Sequence, residues 1–248
     1  MDNNNILQIE NLHSWYGPQH VLNGVNFAVH AGEIMVILGT SGCGKSTLLK
    51  NVIRLYTPAD GSIRLLGHEM TELEEENLEE VLQNVGVMYQ YGALLNSLTV
   101  GENVALPLEM HTTMSPELRR EIAQLKLRQV ELPTAYDRYP KELSGGMQKR
   151  AAVARAIVLD PSIIFCDEPS AGLDPVTALE LDRLLLTLNE TLGMTIVVVT
   201  HELESIKRIA HRITYLHKGQ VLFTGTLDEA FDSGIQAIQD FFLRDITE

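Results

Sequence analysis

Lys45 closes a glycine-rich run, "GTSGCGKST" at 39–47, whose residue types and spacing define a chemistry. Gly39, Gly44, Lys45 and Ser46 fit the pattern G-x-x-x-x-G-K-[ST], and Gly42 adds a further glycine. Glycines let successive backbone N–H groups curl around an anion, and a helix starting at Lys45 adds its partial positive end. Lys45 is then placed to reach the β- and γ-phosphates of a nucleotide, and Ser46 to offer its hydroxyl to Mg²⁺. The run follows "IMVIL" at 34–38, apolar throughout as in a strand buried on both faces, and precedes "STLLKNVIRL" with helical spacing. Strand, glycine loop, helix is the opening of an α/β nucleotide-binding unit.

Such a loop needs an acidic partner on a neighbouring strand to hold Mg²⁺. "SIIFCDEP" supplies it, with Asp167 at the end of an apolar strand and Glu168 next, placed to polarise the attacking water as general base. Alone, an acidic pair ending a strand is an ordinary helix cap or solvated edge; beside the phosphate loop it reads as catalytic. His201 ends the strand "TIVVVT", on the rim where open α/β sheets bind ligands, and a γ-phosphate contact follows. Gln90, at the end of "VGVMY", belongs on the same rim, within reach of Mg²⁺ or of the attacking water. These residues make half a nucleotide site. The other half is read from "LSGGM", where Ser144 is an N-cap type and Gly145 and Gly146 let a phosphate approach the backbone of a helix start. If two chains pair head to tail, Ser144 of one closes over the γ-phosphate held by the other. A glycine-rich turn between helices would fit the local sequence equally well.

The elements that position these residues read as follows. "ILQIENLHSWY" and "VLNGVNFAV" alternate as strands broken by "GPQ" and "AGE", and "PADGSIRLLG" is a turn into a strand. "TELEEENLEE" is a helical acidic face, and "VGVMYQ" is another short strand. From about 92 to 160 the chain turns helical, with "VGENVALPL", "SPELRREIAQLKLRQV" and "SGGMQKRAAVARAIVL"; Ser115 before Pro116 is a helix start. The sheet resumes with "SIIFCDE" and "MTIVVVTHE" on either side of the helical "PVTALELDRLLLTLNETLG". "RITYLHKGQVLFTG" reads as a hairpin turning at Lys218–Gly219. The final helix, "GIQAIQDFFLR", carries an apolar face of Ile235, Ile238, Phe241, Phe242 and Leu243, which either packs on its own domain or docks on a partner. The expected division is a catalytic α/β core of 1–91 and 161–225, a helical insertion of 92–160, and a C-terminal helical tail of 226–248.

Bulk composition narrows the partners. A chain of 248 residues with 45% hydrophobic and 21% charged residues is globular rather than disordered. A net charge of −14 argues against nucleic acid as a partner, which would call for basic patches. The two cysteines, Cys43 and Cys166, lack metal-ligand spacing and read as buried thiols of a reducing compartment. "MDNNN" shows no signal-peptide pattern, and no apolar run approaches the ~18 residues of a membrane helix. A cytoplasmic protein, or one peripheral to the cytoplasmic face of a membrane, is expected.

Taken as a set, these motifs resemble the nucleotide-binding subunits of ABC transporters over essentially the whole chain. The run Gly39, Thr40, Ser41, Gly42, Cys43, Gly44, Lys45, Ser46 and Thr47 resembles the Walker A loop that binds ATP, and Gln90 the Q-loop. "LSGGM" resembles the family signature, "IIFCDE" Walker B, "SAGLD" the D-loop, His201 the switch histidine, and Tyr16 the aromatic that stacks on adenine. Met147 stands where many members have glutamine. The resemblance implies a P-loop NTPase with a RecA-like core, an antiparallel β subdomain and an inserted helical subdomain. It implies a homodimer around two ATP, with Asp174 linking the sites and Ser46, Gln90 and Asp167 serving Mg²⁺. Closure by ATP and opening by hydrolysis would pass to multipass permease subunits through a groove around "QYGALLNSLTVGENVALPL".

Finer details resemble the ATPases of Mla/Mce-type lipid transport systems of Gram-negative outer-membrane maintenance. These are the stretch after Gln90, where Tyr91 replaces a serine, "ELSGGMQKRAAVARAI", "VVTHELESIKRIA" and "IQDFFLR". That branch implies phospholipid transport between inner and outer membranes, an Mce-domain lipid-binding protein, a small cytoplasmic partner, and a place on the cytoplasmic face of the inner membrane. The alternatives are the ATPase of an amino-acid importer or of a lipoprotein-release system, and, further off, an ABC ATPase outside transport.

Overall fold

The computed structural model describes residues 4–243, so Arg244 of the "IQDFFLR" stretch and the rest of the expected tail lie outside the described residues. The chain forms two compact units, one running up to Val81 and resuming at Thr195, the other Leu82–Met194.

The first unit holds two groups of strands. β1 (Asn5–Tyr16) pairs antiparallel with β2 (Gln19–His30) and with β4 (Asp60–Leu65), which carries the short β5 (His68–Glu69), in the order β2-β1-β4-β5. Alternation along β1 turns Leu7 and Ile9 inward, and an irregularity at Asn11 (φ 47°) shifts the period so that Leu12 is buried too, each at most 1% exposed. β3 (Ile34–Leu38) is buried at every position, as its unbroken apolar run requires. It pairs parallel with β8 (Thr195–Val199) and with β9 (Arg212–His217). β9 turns back into β10 (Gln220–Gly225) through Lys218 and Gly219, both at positive φ (48° and 78°), which is the hairpin the sequence predicts. The phosphate loop leads from β3 into α1 (Lys45–Val52).

Past the hairpin, a short helix that the sequence pattern did not reveal, α8 (Leu227–Asp232), starts on a Thr226–Glu229 capping box. The helix α7 (Leu203–Ile209) follows β8. In α9 (Gln236–Leu243), Ile238, Phe241 and Phe242 are buried within this unit. Phe241 meets Tyr215 edge-on at 5.6 Å, Phe242 meets Phe231 at 4.9 Å, and the Tyr215 hydroxyl donates to the Ala237 carbonyl at 3.0 Å. The apolar face of α9 therefore packs on its own domain, the first of its two expected fates; only its end, Leu243, is exposed.

The second unit is mostly helical around a parallel pair of strands, β6 (Val85–Met88) and β7 (Ile163–Asp167). α2 (Glu75–Leu82) leads into it, and α3 (Val100–His111), α4 (Pro116–Gln129), α5 (Gly145–Ala156) and α6 (Pro175–Leu192) complete it. Each helix start is written in the sequence. Thr99 and Glu102 form a capping box on α3, Ser115 caps α4 ahead of Pro116, Ser144 caps α5, and Asp174 caps α6 ahead of Pro175. Gly193, in the left-handed region at φ 64°, ends α6. Residues 82–91 and 161–194, including β6, β7 and α6, cluster with the helical stretch, so this unit is wider than the 92–160 insertion expected from composition. α5 is buried on nearly all sides, from Gly146 through Ala154, which is why its sequence shows little one-sided periodicity.

Candidate functional site

The phosphate loop is built by its glycines. A Cβ on Gly39 would lie 2.0 Å from the Leu216 carbonyl oxygen on β9 and 2.9 Å from the Cys43 sulfur, so no side chain fits there. At Gly42 nothing lies within 4 Å of where a side chain would begin, and Gly44 caps α1 at φ 113°. The Lys45 ammonium, 8% exposed, donates to the loop carbonyls of Gly39 at 2.8 Å and Thr40 at 3.5 Å. Ser46 is exposed at the first turn of α1. The open concavity at Gly42, a buried lysine held among the loop's own carbonyls and an accessible serine hydroxyl fit a nucleotide phosphate chain carrying Mg²⁺.

Tyr16, 70% exposed, ends β1 in the same unit and offers a free ring face for stacking. His201 does not end a strand as expected. β8 stops at Val199, and His201 sits exposed in the loop beyond it, after Thr200, whose hydroxyl accepts from the Glu202 N–H at 3.1 Å. Both cysteines are buried, and burial pushes the Cys43 thiol up and the Cys166 thiol to about 12, so neither is a nucleophile.

The acidic pair and the signature lie in the second unit. Asp167 closes β7, and Glu168, 9% exposed, follows with φ 47°, in the left-handed region. Lys149 on α5 donates to the backbone carbonyls of Gln90 and Glu168, the latter at 3.3 Å, so one buried ammonium ties the Q-loop to the acidic pair. Arg155, two turns further along α5, donates to the carbonyls of Gly92 and Ala93, each at 2.7 Å. Neither cation stands out in the sequence, where both are simply part of a helical stretch.

Ser144 caps α5 by accepting from the Met147 N–H at 3.3 Å, as read. The two glycines after it do different things. A Cβ on Gly145 would meet only Leu173 at an ordinary 3.5 Å, whereas one on Gly146 would sit 2.3 Å from Thr177 Cγ2 on α6. Gly146 is thus demanded by helix packing, and only Gly145 leaves the approach open that the sequence assigned to both. Gly146→Ala is expected to cost roughly 1–3 kcal/mol in urea unfolding, as overpacking does. Thr177→Ser, which removes the methyl and keeps the hydroxyl, is expected to recover most of that loss in the double variant; equal loss with and without it would show that the methyl is not the obstacle. Thr177 donates its hydroxyl to Asp174 at 2.5 Å, and Asp174 also accepts from the Val176 and Thr177 N–H groups. These bonds hold the Asp174 carboxyl below the usual aspartate range. Packing and capping thus join the signature helix start to the start of α6, where the expected D-loop aspartate sits.

Comparison with known proteins fixes the class. The family described as ABC transporter matches residues 22–171. The chain is 37% identical over 227 residues to the methionine import ATP-binding protein MetN 1 of Staphylococcus aureus (strain N315), covering 92% of this chain and 66% of that one. It is 40% identical over 210 residues to MetN 1 of Salmonella choleraesuis (strain SC-B67), covering 85% and 61%. It spans less than two-thirds of the length of these curated relatives. A solved dimeric structure of the ATP-binding cassette MJ0796, in a post-hydrolysis state bound to ADP and Pi, superposes with a TM-score of 0.81 at 34% identity over 89% of this chain and 98% of that one. The chain has the ABC ATPase P-loop fold and belongs to the ABC transporter family. The relatives named here carry methionine import in their names and none carries lipid transport, so they support the amino-acid importer alternative over the phospholipid expectation.

Proposed function

We propose that this chain is the ATP-hydrolysing subunit of an ABC transporter, working as a homodimer on the cytoplasmic face of a membrane beside permease subunits. The observation that carries this is the Lys45-centred loop on β3–α1, a built phosphate cradle whose Gly39 admits no side chain. The rest of the chemistry falls to the other residues of the set. Lys45 and the loop N–H groups hold the β- and γ-phosphates, and Tyr16 stacks on the base. Ser46, Asp167 and Gln90 would hold Mg²⁺, which when bound neutralises phosphate charge and aligns the phosphoryl group for in-line attack. Glu168 takes the proton from the attacking water, and His201 steadies the γ-phosphate. Ser144 and Gly145 of a second copy close over that phosphate, with Asp174 near the junction. The dimeric ADP-and-Pi structure of MJ0796, similar over 89% of this chain, supports the pairing.

Coupling to a membrane partner is proposed through the stretch after Gln90, whose start is held on α5 by Arg155 at the Gly92 and Ala93 carbonyls. Tyr91, next to Gln90, is exposed and open to such a partner. Among the described residues no helix is long and apolar enough to cross a membrane.

For the cargo we follow the relatives and propose amino-acid import. The residues after Gln90 and the "LSGGMQKR" stretch keep phospholipid transport as the second reading. Affinity purification of the tagged protein from native membranes, with mass spectrometry of its partners, separates them. A permease together with a small-solute binding protein is the expected result. A permease with an Mce-domain protein would replace import with lipid transport, and the absence of any membrane protein would sink the transport reading.

A further inference from the structure

We propose that Lys149 is a positioning residue for ATP hydrolysis, locking the backbone of the Q-loop to the backbone of Glu168 so that the two move as one piece. The inference deepens the proposed function and rests on its assignment of Glu168 as base and Gln90 as Q-loop glutamine.

Three observations meet at this side chain. First, its ammonium donates to both the Gln90 and Glu168 carbonyls while only 7% exposed, so an expensive buried cation is spent on two backbone atoms distant in sequence. Burial pushes its pKa below the ordinary lysine value, against the opposing pull of Glu168 and Asp167. A side chain with only a packing role would be apolar there, as its helix neighbours Ala151, Ala152 and Val153 are. Secondly, Glu168 holds φ 47°, a conformation a glutamate keeps only when its surroundings fix it. Two donors meet on its carbonyl, Lys149 at 3.3 Å and the Ala171 N–H at 3.2 Å. Removing Lys149 takes away one of the two and loosens the backbone that aims the carboxylate.

Thirdly, the Q-loop is clamped onto α5 at more than one point. Arg155 holds the Gly92 and Ala93 carbonyls, both in residues at positive φ (70° and 48°), and a Cβ on Gly92 would already touch Ala152 at 3.4 Å. Arg155 anchors the loop. Lys149 spans from the loop to the backbone of the base. A displacement of the Q-loop by a docked partner is then carried through one ammonium to the Glu168 backbone, without the partner reaching the nucleotide.

The test is steady-state and single-turnover ATP hydrolysis by the full chain carrying Lys149→Met, Lys149→Arg, Arg155→Met, Glu168→Gln, or Lys149→Met with Glu168→Gln, with thermal melts as a folding control. Lys149→Met is expected to lower kcat about tenfold or more, the equivalent of one lost charge-assisted hydrogen bond, with KM for ATP within about twofold of the parent. Lys149→Arg, which keeps the cation, is expected to recover most of kcat. Arg155→Met is expected to lower the melting temperature, which sets the size of a purely anchoring loss. In the Glu168→Gln background, Lys149→Met is expected to add no further loss, because it acts through that residue. An unchanged kcat in Lys149→Met, or losses that multiply in the double variant, would overturn the proposal even with Glu168→Gln inactive. Should Glu168→Gln itself turn over ATP like the parent, the assignment of the base fails first and the positioning role falls with it. If Lys149→Met does not fold, Lys149→Arg carries the test: parent-like kcat supports the cation's role, and an Arg155→Met-like melt with lost kcat overturns it.

Discussion

Replacing Glu168 with glutamine is expected to lower ATP turnover about 10²–10⁴-fold while leaving ATP bound, the loss that follows when a general base is removed. The amide is nearly isosteric with the carboxylate, so the φ 47° backbone and the two hydrogen bonds on the residue's carbonyl should survive. What disappears is the negative oxygen able to take a proton from water. The proposed phosphate contacts fall to Lys45 and the loop after β3, not to Glu168, so nucleotide affinity should hold. A dimer that closes on ATP and cannot hydrolyse it should accumulate, visible as a doubling of mass by light scattering in ATP and not in ADP. Phosphate release measured beside ATP binding decides the matter. Parent-like turnover would remove Glu168 as base, and loss of binding together with turnover would show a disturbed fold rather than lost chemistry.

What the sequence showed and what it hid divide along a physical line. The loop, the Asp167 end of β7 and the helix caps were legible because each is a local pattern with a local reason, whereas His201 and Gln90 lie two residues beyond the strands expected to end on them. Gly39, Lys45, Asp167 and Ser144 sit where the chain's own spacing puts them, and the Lys218–Gly219 turn follows from two residues needing positive φ. Lys149 and Arg155 were invisible because a cation on a helix usually faces water. Their partners in the stretch after β6 are carbonyls 59 to 63 residues away, which no spacing rule reaches. Gly146 was read for phosphate alone, and the second demand on it, close packing against Thr177 on another helix, is out of reach of the local sequence. α8 is too short to show periodicity, and only its capping box marks it. The cargo stayed hidden for a different reason, since a transporter's ATPase need not touch what is carried.

The same division sets the second large effect. Gly39→Ala is expected to destabilise the protein by roughly 2–6 kcal/mol, combining the strain of φ 151° with an overlap against the Leu216 carbonyl at 2.0 Å. That carbonyl belongs to β9, which pairs with β3 and therefore cannot yield without opening a central strand. The Cys43 sulfur at 2.9 Å closes the other side. Against a typical stability of about 5–15 kcal/mol, the loss is a large fraction of the whole. Gly42→Ala is the control within the same loop: φ 77° is strained, yet nothing lies within 4 Å of the new methyl. It should cost only about 1–2 kcal/mol. The midpoint of urea unfolding, at unchanged slope, reads both. A Gly39→Ala variant as stable as Gly42→Ala would mean that the loop does not press on β9, and the cradle would have to be held by Lys45 and its two carbonyls instead.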